Sequence, residues 1–296
     1  MGDWKLDHLF LYMGIIFFVS SGGKSMKFGL IGEVLGHSLS PKIHELLFQK
    51  EGWSNTYDLI EIPKEKFSSQ LCQVLQEYDG LNVTIPYKLD VIPFLDEVSE
   101  EARTIGAVNT IAKIHGKLKG FNTDYIGFKR TVGKIKAHVK EKPVAVLGHG
   151  GASRAVIQSL FDEGALYITV VSRHPDRIPE DFLSFAKRRK VHIVDYVTFE
   201  KQSSEYLLVN TTPVGMYPKV GVSPISEVKA RSFEKVIDII YNPEETKLLQ
   251  NASKADKENG MYMLVMQAMA AEEIWMGRKV EENVVMEIVK DMAASH

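Results

Sequence analysis

The feature of this 296-residue chain that most restricts its fold is a short apolar run followed by a cluster of glycines. Residues 143–147 read Pro-Val-Ala-Val-Leu, which is typical of a buried strand, and residues 148–151 read Gly-His-Gly-Gly. A tight turn there lets the next predicted helix, 152–164, direct its N-terminal N–H groups at a phosphate. A second apolar run at 167–171 completes a strand–turn–helix–strand unit, which predicts dinucleotide binding. The alternative is an ordinary glycine-rich turn.

The end of the second predicted strand indicates which dinucleotide would bind. An NAD site usually has Asp or Glu there, whereas an arginine accommodates the 2′-phosphate of NADP. Here Ser172, Arg173 and His174 follow the strand, Arg177 comes soon after, and Asp176 lies beyond the strand tip. The two arginines could hold a phosphate by forked, charge-assisted hydrogen bonds, or they could be solvated residues that open a helix. The charges favour NADP.

Composition and charge are those of a globular enzyme. The chain is 45% hydrophobic and 25% charged, and its length predicts about two domains. The net charge of −2 gives no basic surface for nucleic acid. The single cysteine, Cys72, excludes an intrachain disulfide, and the nine histidines lack metal-ligand spacing, so we expect no metal. Because Leu71, Val74 and Leu75 surround it on a predicted helix, we expect Cys72 to be buried.

Residues 1–25 precede the first predicted strand as an extension of uncertain role. They contain an apolar run, Leu9–Val19, which is short for a bilayer span. Asp3 and Asp7 offset the positive charge that a signal peptide needs. We therefore expect Met26 to be the natural start, with no membrane association and a cytoplasmic location. A membrane anchor is the alternative.

The region from Met26 onward alternates strand-like and helix-like segments, which predicts an α/β domain with a mostly parallel sheet. Helices are predicted after Pro41, with Ser40 as the N-cap, after Pro63, and near Asp96. Strands are predicted at 27–31, 57–62, 80–83, 107–111 and 117–121.

The second half continues the same alternation. A helix from Asp124 to about Val139 leads to the dinucleotide unit, and further strands are predicted at 191–194, 207–210 and 235–239. The segment from Met261 to Gly277 and on to Met292 is predicted to be helical, and a dinucleotide domain does not need it. We therefore expect these helices to return and cover the first domain.

The predicted organisation has two domains. A substrate-binding domain spans 26–123 and is completed by 261–296, and a Rossmann-like NADP-binding domain spans 124–260. No Ser/Gly/Pro-rich linker separates them, so a helix is expected to join them, with a substrate cleft between.

Polar motifs follow several predicted strands of the first half, where an open α/β sheet presents ligands. They supply hydroxyls and amides but few charges, which suits a small polyhydroxylated substrate with one anionic group. Lys88 is the natural proton carrier, and Asp124 could orient it. The alternative is that both are ordinary surface residues. The motifs are Gly-His-Ser-Leu-Ser-Pro at 36–41, Asn-Val-Thr-Ile-Pro-Tyr-Lys at 82–88, Gly-Ala-Val-Asn-Thr at 106–110 and Gly-Phe-Asn-Thr-Asp at 120–124.

Together with the glycine turn, these motifs resemble those of the shikimate dehydrogenase family. The resemblance continues through Asn-Thr-Thr-Pro-Val-Gly-Met at 210–216, Asp-Ile-Ile-Tyr-Asn-Pro at 238–243 and Gln267, and it runs from Met26 to the end. It implies reversible, NADPH-dependent reduction of 3-dehydroshikimate to shikimate in aromatic amino-acid biosynthesis.

The resemblance also implies a role for individual residues. Lys88 would be the acid/base residue, paired with Asp124. Ser38 and Ser40, helped by Tyr241, would bind the substrate carboxylate. The ring hydroxyls and carbonyl would contact Asn82, Thr84, Asn109, Asp124 and Gln267. The cofactor would contact Gly148, His149, Gly150, Gly151, Ala152, Ser172, Arg173, Arg177, Thr211, Met216 and Gly260.

Two departures from the family pattern fall on the cofactor side. His149 stands where alanine is usual, and Ser172-Arg173-His174 replaces the usual Asn-Arg-Thr. One alternative function is an NAD-using quinate/shikimate dehydrogenase, against which Ser40 and the missing strand-end acid argue. Another is a non-catalytic metabolite sensor, against which the retained Lys88 and Asp124 argue. A homodimer is possible.

Overall fold

The computed structural model of the protein describes residues 25–203 and 206–294. The predicted extension therefore lies outside the described residues, apart from Ser25. Among the helices of the described residues, none has the length and apolar character that crossing a membrane requires.

The first sheet has six strands in the order β2-β1-β3-β5-β6-β4. Strand β1 is parallel to β2 and β3, and β4 is parallel to β6, whereas β5 is antiparallel to both of its neighbours. The strands are β1 (Lys27–Gly32), β2 (Thr56–Glu61), β3 (Gly80–Val83), β4 (Glu97–Val98), β5 (Thr110–Ile114) and β6 (Lys117–Phe121).

The second sheet is parallel throughout, in the order β12-β11-β10-β7-β8-β9. The strand order reverses between β7 and β10, and in doubly wound sheets ligands bind at such a point. The glycine turn follows β7, so the structure places it at this reversal. The strands are β7 (Pro143–Leu147), β8 (Tyr167–Val171), β9 (Val191–Val194), β10 (Leu207–Asn210), β11 (Lys235–Asp238) and β12 (Asp256–Glu258).

Helices cover both sheets, and one of them, α4, joins the two. In chain order they are α1 (Ser40–Glu51), α2 (Phe67–Glu77), α3 (Glu100–Ile105), α4 (Thr123–Lys134), α5 (Ser153–Asp162), α6 (Glu180–Lys187), α7 (Tyr196–Lys201), α8 (Glu227–Ala230), α9 (Lys247–Asn251), α10 (Gly260–Met276) and α11 (Glu282–Ala293).

The C-terminal helices return to the first sheet, as predicted. Helices α10 and α11 share one buried apolar cluster with Ile43 and Leu47 of α1. Trp275 of α10 stacks on Phe28 of β1 with ring centroids 4.6 Å apart, and its indole N–H donates to the carbonyl of Ile111 at 2.9 Å. Aromatic burial of this kind holds α10 firmly against the sheet.

One helix predicted for the first half begins later than expected. The sequence near Asp96 predicted a helix start, but Glu97–Val98 pairs with β6 as a short strand. Helix α3 begins at Glu100, where the Ser99 hydroxyl caps it by accepting from the Ala102 N–H at 3.4 Å. The strand predicted at 107–111 likewise starts at Thr110, because the preceding residues form a loop.

Two other helix ends also differ from the prediction. Ser40 is the first residue of α1 and not its cap, and no side chain caps this helix. The Ser38 hydroxyl instead accepts from the Ser40 N–H at 3.3 Å. Helix α4 stops at Lys134 and not at Val139, since Lys136 adopts a left-handed backbone with φ of 50°.

The prediction that Cys72 is buried is wrong. The buried side chains of α2 are Phe67, Leu71 and Leu75, which recur every four residues along one face. Cys72 is one position past this face and is exposed as a free thiol. Apolar neighbours in sequence were therefore a poor guide to its burial.

Candidate active site

The loops at the carboxyl ends of β3 and β7 meet between the two domains. Ile85, in the loop after β3, has side-chain atoms 3.9 Å from where a Cβ on Gly151 would lie. The loop after β3, which carries the polar motif at 82–88, therefore lies next to the glycine turn of the second domain, and we call the space bordered by these loops the cleft.

Lys88 and Asp124 form an ion pair in this cleft. Lys88 Nζ donates to Asp124 Oδ2 at 2.5 Å, and the two side chains are 15% and 14% exposed. The backbone at Lys88 is held because its carbonyl accepts from the Val108 N–H at 2.8 Å. Asp124 lies in the first turn of α4, where the helix dipole favours a carboxylate. The ammonium is thus oriented and still accessible, as a proton donor must be.

A buried hydrogen-bond network lies beside this pair. Asn109 Oδ1 accepts from the Thr123 N–H at 2.7 Å and from the Thr110 hydroxyl at 3.1 Å. Asn82 Nδ2 donates to Thr110 Oγ1 at 3.0 Å and to the Asn109 carbonyl at 3.3 Å. The two asparagines were predicted site residues, but the supporting roles of Thr110 and Thr123 were not predicted. The sequence signal for both threonines is that they belong to the polar motifs at 106–110 and 120–124.

Ser38, Ser40 and Tyr241 lie at the start of α1 and beside it. The Ser40 side chain lies beside the buried phenol of Tyr57. Tyr241 packs against the same apolar cluster as Leu39, which lies between the two serines. Burial raises the pKa of the Tyr241 phenol, so the hydroxyl stays protonated and can donate to a carboxylate.

Thr84 and Gln267 are positioned by close backbone contacts. The Thr84 N–H donates to the Ile31 carbonyl at 2.9 Å, which extends the β1–β3 pairing. Gln267 Cβ lies 3.1 Å from where a Cβ on Gly127 would be, so only glycine fits there. Gly127 follows Asp124 by one turn of α4, and Gln267 therefore approaches the Lys88–Asp124 end of the cleft.

The glycine turn has the shape that a phosphate-binding loop needs. Gly148 has φ of +94°, and a Cβ there would lie 2.8 Å from Thr212 Cγ2 and 3.2 Å from Thr211 Oγ1. At Gly150 no atom lies within 4 Å of the Cβ position, so the turn leaves open space above it. Ala152 precedes α5, so the N-terminus of this helix follows the turn directly, as in sites that bind phosphate.

His149, in the glycine turn, packs against Phe182 of α6. Its imidazole meets the Phe182 ring edge to face, with centroids 5.7 Å apart and planes at 67°. Burial lowers the pKa of His149, so the ring is neutral at neutral pH. It therefore adds a polar group but no fixed charge to the turn.

The end of β8 presents two arginines to solvent. Ser172 is buried, and its hydroxyl accepts from the His174 N–H at 3.2 Å, which shapes the turn. Arg173 is exposed. Arg177 has a side chain that is 76% exposed, with Nε 3.8 Å from Asp176 Oδ2. The residues that follow form a single 3₁₀ turn, Pro175–Arg177, before α6.

The remaining predicted cofactor residues lie on the loop after β10 and at the start of α10. Thr211 Oγ1 donates to the Leu147 carbonyl at 2.7 Å, which ties this loop to the glycine turn. Met216 is 44% exposed. Gly260 is buried, and a Cβ there would lie 1.9 Å from the Ile239 carbonyl oxygen. The structure thus gives Gly260 a packing reason to be glycine.

Known proteins match this chain over most of its length. The family described as shikimate dehydrogenase substrate binding domain matches residues 30–111. A shikimate dehydrogenase (NADP(+)) of Clostridium perfringens is 40% identical over 269 residues, which cover 90% of this chain and 97% of the relative. The chain belongs to the shikimate dehydrogenase family. A Clostridium beijerinckii relative of the same name is 44% identical over 253 residues, 84% of this chain and 91% of its own.

Solved structures of shikimate dehydrogenases share the fold. A chorismate mutase/shikimate 5-dehydrogenase fusion protein from Clostridium acetobutylicum superposes with a TM-score of 0.85 at 43% identity, covering 92% of this chain and 98% of that one. The Thermus thermophilus shikimate 5-dehydrogenase, in complex with NADP(H) and shikimate, gives a TM-score of 0.78 at 32% identity. The matches cover 90% of this chain and 99% of the Thermus chain.

Within the described part of this shikimate dehydrogenase family member, no group of His, Cys, Asp and Glu side chains is arranged to hold a metal ion.

Proposed function

We propose that this protein is an NADP-dependent shikimate dehydrogenase. It would catalyse the reversible reduction of 3-dehydroshikimate to shikimate in aromatic amino-acid biosynthesis. The observation that carries the proposal is the Lys88–Asp124 pair, joined at 2.5 Å and partly exposed in the cleft opposite the glycine turn. The family relationship supports the same reaction.

In the proposed reaction, Lys88 and Asp124 have different roles. NADPH, when bound, supplies the hydride that adds to the ring carbonyl carbon. Lys88 donates a proton to the developing alkoxide, and it takes a proton from the ring hydroxyl in the reverse direction. Asp124 holds the ammonium in place. Much of the rate would come from proximity, because residues of the two domains would hold the ketone and the nicotinamide together.

The residues proposed to bind substrate surround this pair. Ser38, Ser40 and Tyr241 would hold the carboxylate by hydrogen bonds from their hydroxyls. The ring hydroxyls and the carbonyl would be held by the remaining polar side chains of the cleft, which are Asn82, Thr84, Asn109, Asp124 and Gln267. The buried network of Asn82 and Asn109 supports this proposal, since it fixes both amides before substrate arrives.

The glycine turn fits a pyrophosphate, since it leaves open space at Gly150 before the N-terminus of α5. The exposed Arg173 and Arg177 would pair with the 2′-phosphate and so select NADP over NAD. Thr211 and Met216, on the loop after β10, would lie near the nicotinamide.

The proposed domain boundaries follow the same division. A substrate-binding domain at 26–123, completed by 261–296, would close on an NADP-binding domain at 124–260. Residues 1–25 would be an extension that the reaction does not require. The exposed free thiol of Cys72 suits a reducing compartment, which supports a cytoplasmic location. A homodimer stays a prediction, to be tested by the mass of the protein in solution.

A spectrophotometric assay tests the proposed function. The absorbance of the reduced cofactor, NADPH or NADH, is followed with shikimate or quinate as substrate and with NADP or NAD as cofactor. We expect shikimate with NADP to give the highest kcat/KM. A higher kcat/KM for quinate with NAD would identify the other branch of the family. No turnover with any of the four combinations would indicate a binding protein.

A further inference from the structure

A second acid–base pair lies deep in the first domain, behind the proposed substrate site. His44 of α1 and Glu272 of α10 are both fully buried, and His44 Nδ1 donates to Glu272 Oε1 at 2.6 Å. The Tyr57 ring of β2 stacks on the His44 ring, with centroids 3.9 Å apart and planes at 11°. None of these three residues is part of the proposed reaction.

Tyr57 connects this pair to two residues proposed to touch substrate. Its hydroxyl donates to Asn82 Oδ1 at 2.7 Å. The same hydroxyl lies beside the side chain of Ser40, which is one helical turn before His44 on α1. A single buried phenol group therefore contacts one residue from the carboxylate end of the proposed site and one from its ring end.

Burial of the His44–Glu272 pair costs free energy of folding. Among the described residues, His44 Nε2 and Glu272 Oε2 have no hydrogen-bond partner, and both atoms are buried. Polar groups buried in this way oppose folding, and apolar side chains of similar volume are often at least as stable. Because the pair is costly to bury and lies against the Tyr57 ring, we look for a role other than stabilising the fold.

We propose that Tyr57, held by the His44–Glu272 pair, is a positioning residue that orients Asn82 and Ser40 for substrate. Because the Tyr57 hydroxyl donates to Asn82 Oδ1, the orientation of the Asn82 amide is fixed, with its oxygen toward Tyr57. Asn82 Nδ2 then points toward Thr110 and the Asn109 carbonyl. This inference rests on the proposed function.

Substitution of Tyr57 by phenylalanine isolates the hydroxyl, because the ring remains stacked on His44. We expect Tyr57→Phe to raise the KM for shikimate about tenfold, since two substrate contacts lose their orientation. The kcat should change by less than about threefold, and the KM for NADP should not change. The melting temperature should stay close to that of the wild type.

Tyr78→Phe is the matched control. Tyr78 belongs to the same domain, is nearly buried, and donates its hydroxyl to Asp58 Oδ2 at 2.9 Å, which is not part of the cleft. It should lose a comparable hydrogen bond and leave the KM for shikimate unchanged. An equal rise in KM for both variants would overturn the proposal.

The Glu272 variants test the second half of the inference. Glu272→Gln keeps an oxygen that can accept from His44 Nδ1, whereas Glu272→Ala does not. We expect the alanine variant to raise the KM for shikimate and the glutamine variant to restore most of the wild-type value.

The outcomes separate the two proposals. An active wild type together with an unchanged shikimate KM in folded Tyr57→Phe would overturn the positioning role alone. A wild type that fails to oxidise shikimate would overturn the proposed function and the positioning role with it.

Discussion

The two acid–base pairs of this molecule have nearly the same length and opposite surroundings. Lys88–Asp124 spans 2.5 Å at the cleft with partly exposed side chains, whereas His44–Glu272 spans 2.6 Å with both side chains fully buried. The Lys88 ammonium is reachable, as the proposed proton exchange with substrate requires. The buried pair has no such access, so it can only hold other groups in place. The two pairs therefore differ in solvent exposure and not in length, and this difference is the reason for proposing a chemical role for Lys88–Asp124 and a positioning role for His44–Glu272.

The largest effect should come from removing the accessible cation. We expect Lys88→Ala to lower kcat by about two to three orders of magnitude, because general acid catalysis is lost. The KM for shikimate should change far less, since hydroxyls and amides still hold the ring. Steady-state kinetics, with circular dichroism as the check on folding, measures both. A near-normal kcat in a folded Lys88→Ala variant would contradict the proposal that Lys88–Asp124, unlike His44–Glu272, takes part in the chemistry.

Removal of the buried acid should lower stability, in addition to raising the KM for shikimate, and should leave kcat nearly unchanged. We expect Glu272→Ala to lower the free energy of unfolding by about 3 kcal/mol, because His44 is left buried without its partner. The kcat should remain close to that of the wild type. Urea denaturation gives the free energy, and Lys88→Ala serves as the control with a small change. A large loss of kcat in Glu272→Ala would show that the buried pair takes part in the chemistry.

A third carboxyl, Asp238, differs from those of both pairs because the groups that donate to it are neutral. It accepts from Thr246 Oγ1 at 2.7 Å and from Asn210 Nδ2 at 3.0 Å, and burial raises its pKa to about 6. Between about pH 4 and pH 6 the native state therefore binds a proton that the unfolded state has released. Stability from this group is present below about pH 4 and is lost as the pH rises through about 6.

The loss expected from Asp238 is about 2 to 3 kcal/mol over that interval. Urea denaturation at pH 4.5 and pH 7.5 measures it, with Asp238→Asn as the variant that cannot ionise. The free energy of unfolding of the variant should fall less between these two pH values. Equal pH dependence in both proteins would contradict the assignment.

The smallest expected effect is on the cofactor side, away from both pairs. Arg173→Ala combined with Arg177→Ala should raise the KM for NADP about tenfold, because the 2′-phosphate loses its partners. The KM for NAD and the KM for shikimate should stay nearly unchanged. Equal rises in KM for NADP and NAD would show that the arginines support the fold of the turn.

The second domain was the easier one to predict from its residues. Apolar runs bounded by turn residues placed its strands at 143–147, 167–171, 191–194 and 207–210, and all four are confirmed. A fully parallel sheet buries both faces of each strand, so its strands have continuous apolar sequences. The first sheet mixes directions, and its two-residue strand Glu97–Val98 has no pattern long enough to detect.

Candidate site residues were identified by motif, and their roles stay predictions until the assays above are done. Lys88 and Asp124 were paired in sequence reasoning, and the structure brings them within 2.5 Å. Tyr57 was overlooked because it belongs to none of the polar motifs, and a tyrosine in a strand usually indicates packing alone. The proposed positioning role of Tyr57 rests on its hydrogen bond to Asn82 and its position beside Ser40.

By itself, the sequence determined what depends on neighbours along the chain. This includes the glycine turn after β7, the alternation of strands and helices, and the arginines at the end of β8. Tertiary structure alone decided which distant groups meet. His44 and Glu272 are 228 residues apart, and their contact exists because α10 returns to pack on α1 and the first sheet. Periodicity records which face of an element is buried, but it does not record what lies against that face.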